Sequence, residues 1–152
     1  LERQLVWLKM IREYFLVPFN KSDVLVDQRL YAIGCERADA KKLCFALNSF
    51  ITILFLELTG RGYGGGGGPI ELTVDEVQDL VLFNPKRLYG QCSFPGREIL
   101  PIPQEVYLPD RHALDDIIFD ALSLTKGERD AVYEAVIDLV ESRLKKADSL
   151  RQ

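Results

Sequence analysis

Hydrophobic and polar positions along this chain change rhythm twice, and the densest apolar stretch lies in the middle. From Ala40 to Thr59 the pattern predicts one long helix. Leu43, Leu47, Phe50, Ile51, Leu54, Phe55 and Leu58 recur at the i, i+3, i+4, i+7 spacing of a single face. Ile53 and Leu56 widen that stripe until little of the helix is polar, which predicts a central, buried position. Ahead of it, short apolar runs alternate with polar turns. Leu1 to Tyr14 mixes apolar and charged residues in a pattern open to a helix or an irregular lead-in. Tyr14–Asn20 reads as a strand, at an edge or bulged because Pro18 withholds a ladder N–H. Asn20–Asp23 is a polar turn, Val24–Val26 a second short strand and Leu30–Gly34 a third, which together predict a small antiparallel sheet.

The central helix ends in Gly60, Arg61, Gly62 and Tyr63, followed by Gly64, Gly65, Gly66, Gly67 and Gly68. A helix or strand interior does not use such a run, because glycine loses the most conformational freedom on ordering. It is expected to be a flexible tip that presents Arg61 and Tyr63. Pro69–Leu72 resumes an extended strand, and Thr73 with Glu76 forms a capping box that opens a short helix to about Leu80. Asn84–Pro85 breaks the chain, and Pro85, Pro95, Pro101, Pro103 and Pro109 predict irregular, extended chain from 84 to 110. Asp110 is a candidate cap for a helix from about Ala113 to Leu122, with Leu114, Ile117, Ile118 and Ala121 on one face. Thr125 and Glu128 make a second capping box. It opens a helix to about Lys146, with Val132, Ala135, Val136, Leu139, Val140 and Leu144 as its stripe. The expected architecture is α+β: a small antiparallel sheet packed on a long buried helix over residues 1–109, and a C-terminal helical hairpin over 110–152 packed on it.

Composition narrows the function more than the fold. Apolar residues make up 47% and charged residues 28%, the profile of an ordinary soluble domain. The longest apolar run, Phe45–Leu58, is interrupted by Asn48, Ser49 and Thr52 and is too short to span a bilayer, so no membrane association is expected. Cys35, Cys44 and Cys92 form no CxxC pair, and with a lone His112 they make no four-ligand zinc set. Reduced thiols fit a cytoplasmic setting. A chain that opens on Leu rather than Met reads as a piece of a longer protein.

The net charge of −4 opposes strong non-specific binding of nucleic acid, but its distribution is uneven. Residues 1–62 carry nine Lys/Arg against seven Asp/Glu, whereas residues 63–152 carry ten against sixteen. Any nucleic-acid contact therefore belongs to the N-terminal half and the glycine tip. The five glycines are not a phosphate loop, since Pro69-Ile70 follows where Lys and Ser/Thr are required. They are not a dinucleotide fingerprint either, because a helix precedes them and a strand follows. No nucleophile and base stand together, and His112 reads as a capping or surface residue. Catalysis within this chain is not expected.

The order Leu30-Tyr-Ala-Ile, Leu47-Asn-Ser-Phe, Phe55-Leu-Glu-Leu, a glycine-rich tip, Ile70-Glu-Leu-Thr-Val and Leu82-Phe-Asn-Pro resembles a known module. It is similar to the C-terminal target-recognition region of adenine-N6 DNA methyltransferases of restriction-modification systems. A related pattern occurs in the specificity subunits of type I restriction enzymes. The tail from Leu114 through Val136 resembles the helical end of the same proteins, so the likeness runs from about Tyr14 to Lys146. It implies a cytoplasmic, prokaryotic protein that positions double-stranded DNA and reads its sequence, joined to a methylase catalytic domain or partner subunit. The catalytic half of such proteins binds S-adenosylmethionine and holds flipped adenine at an Asn/Asp-Pro-Pro-aromatic motif. Here Asn84-Pro85 continues as Lys86-Arg87, so the second proline and the stacking aromatic are missing and no cofactor is expected in this chain. Lys21, Arg29, Arg37, Lys41 and Lys42 are candidates for phosphate contacts, and Arg61 and Tyr63 for the groove. The other class of function open to the sequence is a protein-interaction module that docks a partner subunit through its C-terminal helices.

Overall fold

A strand that changes partner halfway along organises the N-terminal half. In the computed structural model, residues 2–22, 24–62, 68–89 and 96–149 are described. Strand β1 (Glu2–Leu8) and strand β2 (Met10–Ile11) are separated by Lys9 alone. β1 pairs antiparallel with β3 (Leu30–Cys35), Leu8 opposite Leu30 and Glu2 opposite Cys35. β2 instead joins a second small sheet, ordered β2, β5 (Ile70–Glu71), β4 (Arg61–Gly62). The N-terminal segment is thus strand, not helix or irregular chain. Leu5 and Trp7 point into the core while Val6 and Leu8 are apolar on the other face, so the period of two is invisible in the letters.

Two expected strands are absent from the ladders. Tyr14–Asn20 is extended and buries Phe15 and Val17, yet it meets β1 only through an isolated bridge between Leu5 and Phe19. Pro18 has no N–H to offer, and the Val17 N–H is taken by the Asn48 carboxamide at 2.8 Å. Around Val24, the Asn20 side chain bonds both the Val24 N–H and its carbonyl. Val24 and Leu25 there are exposed and belong to no ladder among the described residues.

The central helix is present but broken. α1 (Arg37–Asn48) and α2 (Phe50–Thr59) meet at 61°. Ser49 is extended at the junction, and its hydroxyl caps α2 by accepting the Thr52 N–H. The break resets the helical phase, so Phe50, Ile53 and Leu56 face inward and Leu58, expected in the stripe, is 61% exposed. No single helix among the described residues is long and apolar enough to cross a membrane.

The C-terminal third is more helical than the prolines predicted. α3 (Val74–Gln78) carries the expected Thr73–Glu76 capping box. A 3₁₀ turn (Pro85–Arg87) and α4 (Ile102–Glu105) lie within the stretch expected to be irregular. α5 (Pro109–Ala121) begins at its proline, whose missing N–H costs nothing in a first turn. Leu108 is its N-cap, so Asp110 does not cap; its carboxylate pairs with Arg97 at 2.8 Å. α6 (Lys126–Ser149) buries Tyr133, Val136, Val140, Arg143 and Ala147, one face at helical spacing. One buried cluster joins Leu5 and Trp7 to Phe50, Leu56, Phe119 and Val140, giving an α+β fold whose sheets pack on the bent helix pair.

Candidate nucleic-acid interface

The glycine run is the loop of a small hairpin whose two roots are fixed by packing. At the first root Gly60 closes α2, its N–H bonding the Leu56 carbonyl at 2.7 Å. A Cβ added there would lie 2.6 Å from the Leu56 oxygen and collide with the Ile70 side chain. β4 and β5 then pair, Arg61 opposite Glu71 and Gly62 opposite Ile70. At the second root Gly68 is buried with φ 108°, a backbone that L side chains rarely adopt. Tyr63, Gly64, Gly65, Gly66 and Gly67 lie outside the described residues.

Arg143 of α6 holds the second root. Its Nη1 donates to the Gly68 carbonyl at 2.9 Å and its Nη2 to the Arg12 carbonyl at 2.8 Å. Nε and Nη2 also grip both oxygens of Glu57 on α2, at 2.9 and 2.7 Å. The two side chains are only 8% and 3% exposed, so the pair is a desolvated, bidentate clamp rather than a surface contact. Sequence reasoning missed it. The signal was a lone Glu inside the apolar Phe55–Leu58 run and an Arg in phase with Val136 and Val140.

The cations expected to meet DNA fall into two groups. Lys9, which the sequence reading passed over, donates its N–H to the Arg29 carbonyl at 3.1 Å and accepts from the Leu72 N–H at 2.9 Å. Arg29 and Lys9 lie on adjoining chains, and Arg61 is one chain further on, across β5, where it stands opposite Glu71. The Lys9 ammonium lies 4.7 Å from the centroid of the Tyr31 ring, whose hydroxyl donates to the Leu72 carbonyl at 2.8 Å. Burial, with help from Glu71 and Glu76, raises the Tyr31 pKa and keeps that hydroxyl a donor. α1, which carries Arg37, Lys41 and Lys42, starts after the other end of β3, a strand about 20 Å long. Lys21 is exposed in the turn after the Leu5–Phe19 bridge.

A second polar cluster surrounds the break at Ser49. Asp115 of α5 is fully buried; its oxygens accept the Phe50 N–H at 2.8 Å and the Tyr133 hydroxyl at 3.2 Å. Arg111 donates to the Asn48 carbonyl and lies 5.1 Å from the Phe50 ring. Burial pushes the Asp115 carboxyl up to about 6 against the pull of Arg111, and pushes the Tyr133 hydroxyl up as well. His112 is half-buried, its Nε2 against the Val106 carbonyl and its ring against Tyr133. These groups bond one another and fix the angle between α1 and α2.

The glycine run leads into β5 rather than into a helix. The Asn84 carboxamide oxygen is occupied by the Lys86 N–H at 3.0 Å, capping the 3₁₀ turn. Among the described residues no cluster of His, Cys, Asp and Glu could hold a metal ion.

The α+β body with its rooted glycine hairpin falls in the class found by comparison, the C-terminal domains of restriction-modification methyltransferases. The chain belongs to the family described as "Type II methyltransferase M.Eco57I, C-terminal domain", whose model matches residues 2–93. That span runs from β1 through the glycine hairpin and the 3₁₀ turn. No curated protein and no solved structure matches the chain.

Proposed function

We propose that this chain is the duplex-reading part of an adenine-N6 DNA methyltransferase of a restriction-modification system. It places double-stranded DNA against a catalytic domain or partner subunit that binds S-adenosylmethionine, and it performs no methyl transfer itself. The observation that carries the reading is the glycine hairpin fixed at Gly60 and Gly68 and clamped by Arg143. A loop almost free of side chains is thin enough to enter a groove about 12 Å wide, and its base is fixed, so little ordering cost falls on the base. Arg61 and Tyr63 flank the entry to that loop and supply the groove contacts, an arginine on a guanine edge being the commonest specific contact. Lys9 and Arg29, on adjoining chains, supply phosphate contacts beside it. Membership of the methyltransferase C-terminal family supports the same reading.

Arg61→Glu tests it. Selection of bound duplexes from a random pool, followed by fluorescence anisotropy on the selected site, should show specific affinity reduced by about tenfold or more and site preference lost. Unchanged affinity and preference would remove the hairpin from recognition. Self-association that rises with concentration, with no affinity for duplex DNA, would instead mark the C-terminal helices as a docking surface.

A further inference from the structure

The 3₁₀ turn Pro85–Arg87 is seated on α1 by its flanks. Phe83 before it and Leu88 after it share one buried cluster with Phe45 of α1. Lys41, one helical turn before Phe45, sets its ammonium 6.0 Å from that ring. Arg37, Lys41, Lys86 and Arg87 are exposed and Lys42 partly so, which gathers five cations from two distant stretches of chain. None of them has an ion-pair partner among the described residues. Only Glu36 and Asp39 oppose them in these two stretches.

The neighbouring helix does not cancel this charge. α5 packs on the same cluster through Leu114 and Ile118, and it is rich in acids. Asp110 is bound by Arg97, Asp116 and Asp120 are bound by Arg129, and Asp115 is buried. Tyr89, two residues past Arg87, is 85% exposed beside the cations. A chain of net charge −4 therefore carries a concentrated positive face that is unpaired among the described residues.

We infer that the α1 face and the 3₁₀ turn form a sequence-independent seat for the phosphate backbone of duplex DNA, separate from the glycine hairpin. The inference rests on the duplex-reading function proposed above and extends it to Lys86, Arg87 and Tyr89. β3, about 20 Å long or about six base-pair steps, runs between Arg29 and the start of α1, so the seat and the Arg29–Lys9 end are distinct places. One duplex can therefore be held at two places, with the hairpin reading sequence and this face setting register.

The test is the salt dependence of binding to a mixed-sequence duplex by the whole chain and by Lys86→Gln/Arg87→Gln. Both side chains are exposed, so an unchanged thermal midpoint is the folding control. Losing two phosphate contacts should flatten the slope of log K against log[salt] by about 1.8, and weaken all sequences alike by about tenfold or more near physiological salt. Lys41→Gln/Lys42→Gln should behave the same way, whereas Arg61→Glu should change preference. A natural chain that binds with a slope untouched by either double variant overturns the seat alone. A natural chain with no salt-dependent affinity overturns the seat and the duplex-reading function together. Poly-glutamate competing as well as duplex DNA would make the face a general anion surface and also overturn it.

Discussion

Asp115 ties three elements together with one carboxylate, receiving a backbone N–H from α2 and a hydroxyl from α6. Its folded pKa of about 6 lies above that of an unfolded aspartate, about 3.9. The folded state therefore holds the proton more tightly. The stability this confers is complete below about pH 4 and is lost as pH rises through about 6. Asp115→Asn removes the titration. In urea denaturation, the stability of the natural chain relative to that variant should fall by about 3 kcal/mol from about pH 4 to about pH 8. A difference that stays flat across that window would contradict the assignment. Gly60 and Gly68 carry a second residue-scale prediction. Gly60→Ala must displace the Leu56 backbone and Gly68→Ala must hold φ at 108°, so each should cost about 1–3 kcal/mol in the same assay. Gly96→Ala, where an added Cβ meets nothing within 4 Å, is the neutral control.

Among the elements, the Arg143–Glu57 clamp joins α6, α2 and the hairpin root. Arg143→Met leaves Glu57 buried without its cation, at a cost of about 3–5 kcal/mol. The double variant Glu57→Leu/Arg143→Met should recover much of that loss in chemical denaturation; a double variant as unstable as the single one would show that packing, not charge, carries the contact. The elements that could be read from sequence were those set by local chemistry. Both capping boxes form as spaced, with Thr125 and Glu128 bonding at 2.7 Å, because the partners are three residues apart. The elements that could not be read depend on distant groups. The α1–α2 break is held from α5 by Arg111 and Asp115, sixty-odd positions away, although Ser49 followed by Thr52 is a cap signal inside the apolar run. Tyr14–Asn20 showed the right alternation, but whether it joins a ladder was decided by Pro18 and Asn48. Of the candidate interface, Lys21, Arg29, the basic stretch from Arg37 to Lys42 and the glycine run were visible as letters. Lys9, Lys86 and Arg87 gained their places only when β1 bent at Lys9 and Phe83 buried against Phe45.

For the molecule as a whole, the main core draws on both ends of the chain, with Tyr133, Val136 and Val140 beside Leu5, Phe50 and Leu56. Each such side chain contributes about 1.5–3 kcal/mol by burial, while an entire domain is stable by only about 5–15 kcal/mol. A chain ending at residue 109 should therefore lose cooperative thermal unfolding and bind a hydrophobic dye, and a sharp melt in calorimetry would show otherwise. The fixed hairpin base has a consequence of another kind. Gly60, Ile70 and Arg143, which hold the base, all lie outside the segment between Gly62 and Gly68. Doubling the length of such a loop costs only about 0.6 kcal/mol in closure entropy. That segment should therefore behave as an interchangeable cassette: swapping, lengthening or randomising a few codons there should leave the thermal midpoint of the scaffold within a few degrees. Its sequence can then be varied without first having to rebuild the protein.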